Sequence, residues 1–141
     1  MIEWYKKVVF KNYGNFSGRA RRSEYWYFML AQFLIFIGFV MIGSLIGLIF
    51  DSPENGFFIA YGLFVFYLLL MIIPYLAVVV RRLHDTGKSG WYYLVSFIPF
   101  VGGIWMLVLM CTEGDYGAND YGADPKNEFE EMNEIGNVEL Q

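Results

Sequence analysis

The sequence predicts an all-α integral membrane protein with three or four transmembrane helices and an interfacial helix before them. Three observations predict it. First, 57% of the 141 residues are hydrophobic, 21% are aromatic and only 17% are charged, where a soluble domain carries about 25% charge. Second, three stretches contain no Asp, Glu, Lys or Arg: Tyr25 to Phe50, Asn55 to Val80 and Ser89 to Thr112, of 26, 26 and 24 residues. A helix crosses the hydrocarbon core with roughly 20 apolar residues. Third, the basic residues flank these stretches. A soluble fold would need three helices apolar all round and has too little polar chain to cover them.

The chain divides into a basic segment at 1–24, a membrane domain at 25–112 and a polar acidic tail at 113–141. In the first, Met1 to Tyr13 reads as a short amphipathic helix. Ile2, Trp4, Tyr5, Val8 and Val9 share one side, and Lys6, Lys7 and Lys11 the other, with Phe10 out of place. That pattern suits the headgroup layer, and equally a helix packed on the protein's own spans. Asn12 to Gly18 is a break. The first apolar run starts only at Tyr25, is far longer than a signal-peptide core and lacks a small-x-small cleavage pattern, so it is expected to stay as an anchor.

Ser23 suits an N-cap of the first span, with Glu24 in the turn where negative charge is favoured. Tyr25, Trp26 and Tyr27 mark the membrane boundary. Gly43 and Gly47 form a small-xxx-small pair, read as close helix packing inside the monomer. Gln32, the one side-chain amide well inside a span, is expected to bond to a neighbouring helix.

Asp51 to Gly56 is a short acidic turn. The second span runs from about Phe57 to Val80, with a kink expected at Pro74. The segment Arg81 to Lys88 follows, where Gly87 fits a helix-ending position and Ser89 the cap of the next helix. Six basic residues precede the first span, none lies in the first loop and three lie in the second. The positive-inside rule therefore puts the first segment and the second loop in the cytoplasm and the Asp51 to Asn55 turn outside.

The third stretch carries Pro99, Gly102 and Gly103 in its middle, each of which weakens a helix. Two readings stay open. One kinked span puts the tail outside; two half-helices that enter and turn back put it inside. The tail repeats Asp115-Tyr-Gly-Ala118 as Asp120-Tyr-Gly-Ala123, which suggests successive turns. As a calcium loop it fails, because Gly117 stands at a ligand position and Asp120 at the glycine position. Beyond Pro125 the composition is that of a disordered segment.

The spans hold no ionisable group besides tyrosine and Cys111, which argues against a proton relay. The single cysteine excludes an intrachain disulfide and a cysteine-based metal site, and no metal or cofactor is expected. His84 and Asp85 are the only catalytic-looking pair, and adjacent helical residues do not face one another. The expected role of Asp85 is to orient Arg81, Arg82 or His84, or to cap a helix. Arg19, Arg21, Arg22, Arg81, Arg82 and Lys88 should gather at one membrane face. Each contributes about 1 kcal/mol of attraction to an anionic leaflet, and guanidinium matches phosphate with paired donors. Topology anchoring alone explains them too.

The runs Phe16-Ser-Gly-Arg-Ala-Arg-Arg-Ser-Glu-Tyr-Trp26, Arg81-Arg-Leu-His-Asp-Thr-Gly-Lys-Ser-Gly-Trp91 and Pro99-Phe-Val-Gly102 resemble the domain-of-unknown-function 805 family of small bacterial inner-membrane proteins. Gly117-Ala-Asn-Asp-Tyr-Gly-Ala-Asp-Pro125 is similar to the family's ending. The resemblance covers about residues 1 to 126. It implies a bacterial cytoplasmic-membrane location and no known activity or cofactor. It singles out Phe16, Arg19, Arg21, Arg22, Glu24, Trp26, Arg81, Arg82, His84, Asp85 and Trp91 as signature positions without assigning roles. The expected function is non-enzymatic, with the arginine collar binding anionic lipid headgroups or a partner protein and no nucleic acid. The alternatives are a small oligomeric transporter or channel and, behind it, a headgroup enzyme using His84 and Asp85.

Overall fold

The computed structural model describes residues 1–126; the stretch expected to be disordered lies almost wholly outside them. Among the described residues every regular element is helical, and the one bridge pairs Asn119 with Gly122. Helix α1 (Ile2–Lys6) continues as a wider π-helical turn over Lys7–Lys11. Then come α2 (Arg22–Ile49), α3 (Pro53–Asp85), a 3₁₀ helix (Gly90–Phe97) and α4 (Gly102–Cys111). Helices α2 and α3 are long and apolar enough to cross a membrane.

Small residues let α2 and α3 touch backbone to backbone. A Cβ on Gly56 would lie 2.3 Å from the Gly43 carbonyl oxygen and 2.5 Å from the Gly47 nitrogen. The Gly43 and Gly47 spacing thus serves packing inside the monomer. Further along the pair, Gln32 accepts a 2.6 Å hydrogen bond from Tyr67 Oη of α3, as its place in the span suggested. The core gathers at the other end, where Val8, Val9, Phe28, Val78, Val79, Leu83 and Met110 are buried together. The first helical segment therefore packs on α2 and α3 through Val8 and Val9, with Tyr5 stacked on Phe28.

Helix α3 continues through Pro74. Proline has no N–H, so the carbonyl four residues earlier loses its helical donor. That carbonyl belongs to Leu70, and Tyr13 Oη donates to it at 2.6 Å. Tyr13→Phe should cost about 1 kcal/mol, read from the thermal melt in detergent. In a Pro74→Ala background, which restores the helical donor, the same change should cost far less.

The third apolar stretch is broken. Its 3₁₀ half starts where Ser89 Oγ accepts the Trp91 N–H, and it ends in a turn at Ile98 to Val101 with Phe100 at φ +65°. Helix α4 then packs back along the 3₁₀ helix. Gly102 permits the return, since a Cβ there would lie 2.2 Å from the Val95 carbonyl oxygen. One expectation is corrected. Ser23 does not cap α2; the helix begins at Arg22 after an extended Arg21 and has no side-chain cap. The reason is that the preceding strand of chain is tied elsewhere, with the Ala20 N–H donating to the Arg81 carbonyl at 3.0 Å.

Candidate functional site at the arginine collar

Helix α3 ends in a Schellman arrangement. Lys88 N–H donates to the Leu83 carbonyl and Gly87 N–H to that of His84, both at 3.0 Å, with Gly87 at φ +66°. This turn fixes the last helical residues, Arg81, Arg82 and Asp85, against the start of α2. Two buried charge clusters result.

In the first, Glu24 is fully buried and accepts from Arg81 Nη1 at 2.5 Å, while Lys7 Nζ stands 3.1 Å from its second oxygen. A carboxylate out of water needs such partners, and the start of α2 adds its positive dipole end. In the second, Asp85 holds two arginines. Arg19 Nε donates to one oxygen at 2.9 Å and Arg82 Nη1 to the other. Asp85 thus orients Arg82, as expected of it, together with Arg19; it forms no ion pair with Arg81 or His84.

Arg82, Arg22 and Arg19 also reach the end of α4 and the tail. Arg82 donates to the carbonyls of Met110 and Thr112, and Arg22 to that of Cys111 at 3.3 Å. These are the carbonyls that a helix end leaves without intrahelical partners, at the negative end of the α4 dipole. Arg19 donates to the carbonyls of Asp115 and Gly117. In return Asp115 N–H donates to the Asp85 carbonyl at 2.8 Å. Gly114 makes the approach possible, because a Cβ there would fall 2.1 Å from an Asp85 carboxylate oxygen.

The tail closes over α3. Asn119 Nδ2 donates to the His84 carbonyl at 2.9 Å, and the Tyr121 ring stacks on His84 with centroids 3.9 Å apart. His84 Nδ1 donates to the Gly18 carbonyl at 3.1 Å. His84 and Asp85 are thus engaged with different partners and form no acid–base pair. Asp124 accepts from the backbone N–H groups of Gly117 and Lys126, at 3.0 and 2.9 Å.

Between tail and collar lies a pocket of about 430 Å³. Its walls come from Arg21, Arg22 and Ser23 at the start of α2, from Asp85, and from Gly114, Asp115, Asp124 and Lys126. At its mouth Arg22 and Lys126 share one carboxylate, Glu113, at 3.1 and 2.7 Å. Both cations keep close to half of their side-chain surface exposed. The hydrogen bond and charge of Lys126, with Arg22 behind it, hold the Glu113 carboxyl below its ordinary value. Burial pushes the Asp124 carboxyl up, and the N–H groups of Lys126 and Gly117, with the Arg19 charge, outweigh it and lower it.

A depressed carboxylate pKa stabilises the folded form above the ordinary value and loses that contribution as pH falls through the depressed one. The tail should therefore stay docked at neutral pH and loosen as pH drops below about 4. A spin label on Ala123→Cys, in a Cys111→Ser background, would report that release.

Of the six basic residues expected at one face, Arg19, Arg81 and Arg82 are buried with internal partners. Arg21 and Arg22 line the pocket. Lys88 lies apart, 3.5 Å from the Thr86 carbonyl and above the Tyr92 ring. Among the other signature positions, Glu24 is at the buried core of the collar, while Phe16, Trp26 and Trp91 face outward. Lys126 and the tail carbonyls were missed from the sequence. The one available signal was the cationic Lys126 in an otherwise acidic tail.

The family described as "Protein of unknown function (DUF805)" matches residues 13–123. Inner membrane protein YhaI of Escherichia coli (strain K12) is 45% identical over 125 residues, covering 89% of this chain and 97% of the relative. Inner membrane protein YhaH of the same strain is 39% identical over 127 residues, covering 90% and 99%. No solved structure matches.

Proposed function

The chain belongs to the DUF805 family, and from that premise we propose that it is a non-enzymatic protein of the bacterial inner membrane whose cytoplasmic collar binds a phospholipid headgroup through its phosphate. Helices α2 and α3 are about 42 and 50 Å long at 1.5 Å per residue, more than the roughly 30 Å hydrocarbon core. The 3₁₀ helix and α4 reach only about 16 and 15 Å. Each spans half the core, so the third segment enters and returns. The segment before α2, the α3–3₁₀ loop and the tail then share the cytoplasmic side that the basic residues favour. The first helical segment lies at that surface, against the spans.

The observation that carries the reading is the pocket mouth, where Arg22 and Lys126 stand exposed over a single shared carboxylate. It opens beside the first turn of α2, next to exposed Trp26 and Tyr27, at headgroup level. Arg19, Arg81 and Arg82 build the site, and Arg21, Arg22 and Lys126 meet the lipid. The separate engagement of His84 and Asp85 supports a binding role over headgroup chemistry.

Retention of phospholipid through purification, read by native mass spectrometry, tests it. With about 1 kcal/mol from each cation, Arg22→Gln with Lys126→Gln should weaken retention about 30-fold. Unchanged retention would refute the site.

The turn at Ile98 to Val101 favours a second feature, self-association. Phe100 is 96% exposed at φ +65°, and this irregular backbone would sit near mid-membrane. Non-helical backbone at that depth is sustained only against protein or water, and a second copy supplies the cover. Phe100→Cys in the Cys111→Ser background should crosslink between copies in native membranes; monomer alone would refute it.

A further inference from the structure

The pocket carries both signs of charge, and its carboxylates differ in how they are met. Asp85 is held by Arg19 and Arg82. Asp124 is occupied by two backbone N–H groups. Asp115 is different. Its side chain receives a 3.3 Å hydrogen bond from Asn119 Nδ2 and forms no ion pair with the described residues. Its backbone is nevertheless fixed at both ends, by the Asp85 carbonyl and by Arg19. The bare Cα of Gly87 leaves its carboxylate room, since a Cβ there would lie 2.7 Å from Asp115 Oδ2. An anion-only ligand would have to sit beside this exposed carboxylate, which has no cationic partner among the described residues. At about 430 Å³ the pocket is also of small-molecule size, larger than one phosphate fills.

Resting on the phosphate site proposed above, we infer that the pocket takes a zwitterionic group, a phosphate ester carrying a primary amine, with the phosphate on Arg22 and Lys126 and the ammonium on Asp115. A primary ammonium offers three N–H donors to the Asp115 carboxylate; a quaternary amine offers none, and a glycerol headgroup offers no charge. A phosphoethanolamine lipid headgroup and free phosphoethanolamine share this chemistry.

The full chain, purified in detergent, would be offered an equimolar mixture of phosphatidylethanolamine, phosphatidylglycerol and phosphatidylcholine of identical acyl chains. Bound lipids are counted by native mass spectrometry. The ethanolamine lipid should be retained about fivefold over each of the others. Asp115→Asn should abolish that preference, bringing the ethanolamine lipid down to the level of the other two. Arg22→Gln with Lys126→Gln should lower all three lipids together. If that double variant retains lipid normally, the phosphate site itself is wrong. If it loses lipid but the wild type shows no ethanolamine preference, or Asp115→Asn keeps one, the pairing with Asp115 alone is overturned. In a parallel arm, free phosphoethanolamine is tested for thermal protection of delipidated protein against inorganic phosphate. Protection by the free compound beyond that by phosphate supports the same pairing with a soluble ligand. Protection by the lipid alone assigns the site to the membrane.

Discussion

Asp85→Ala should destabilise the protein by about 3–5 kcal/mol, the cost of removing one partner from a buried ion pair. The carboxylate is 6% exposed and faces Arg19 and Arg82, themselves 1% and 0% exposed at the side chain. Removing it leaves two guanidinium groups close together without a counter-charge. The backbone carbonyls of Met110, Thr112, Asp115 and Gly117 cannot replace that charge. The tail should then detach, because the same arginines position it. Thermal melting in detergent and tail protection from protease would both register the change. The exposed pair of Arg22 with Glu113 is the control: Glu113→Gln should leave the melt nearly unmoved, since exposed ion pairs contribute little. A melt for Asp85→Ala equal to wild type would mean that the collar is solvated and its ion network incidental.

Gly56→Ala should cost about 1–3 kcal/mol through overpacking. The added methyl would lie 2.3 to 2.7 Å from backbone atoms of Gly43 and Gly47, which cannot rotate aside. Helices α2 and α3 must separate to admit it. Gly62→Ala on the same helix meets nothing within 4 Å, and should stabilise by roughly 0.5–1 kcal/mol by removing a mid-helix glycine. Comparing the two melts separates a steric effect from helix propensity. Equal shifts would mean that the two helices are not in backbone contact.

Much of the fold could be read from local spacing. The interruption of the third segment followed from Pro99, Gly102 and Gly103, although the sequence left open whether the chain crosses or returns there. Gly87 and Ser89 were legible as stop and start signals because each acts within three residues. Gly43 and Gly47 announced a close contact, but not that Gly56 would be its other side. The collar was visible only as a concentration of charge. Its wiring joins residues far apart in sequence, Glu24 to Arg81 and Arg19 to Asp85, and no periodicity encodes such pairs. The capping reading of Ser23 failed for the same reason. A distant partner, the Arg81 carbonyl, takes the Ala20 N–H, and the start of α2 shifts with it. The tail read as polar acidic chain with successive turns, yet its Asp115 and Gly117 carbonyls hold Arg19, while Arg82 and Arg22 take the carbonyls at the end of α4. Carbonyl groups occur at every residue, so composition carries no trace of them.

The account stands on the tail and both basic segments sharing one side of the membrane. Single cysteines at Asp120 and Asn55, both exposed, in a Cys111→Ser background, would be labelled in intact cells with an impermeant thiol reagent. Asn55→Cys should label at once, and Asp120→Cys only after the membrane is permeabilised. Labelling of Asp120→Cys in intact cells would put the tail outside, away from the basic segments, and would contradict both the collar site and its ligand.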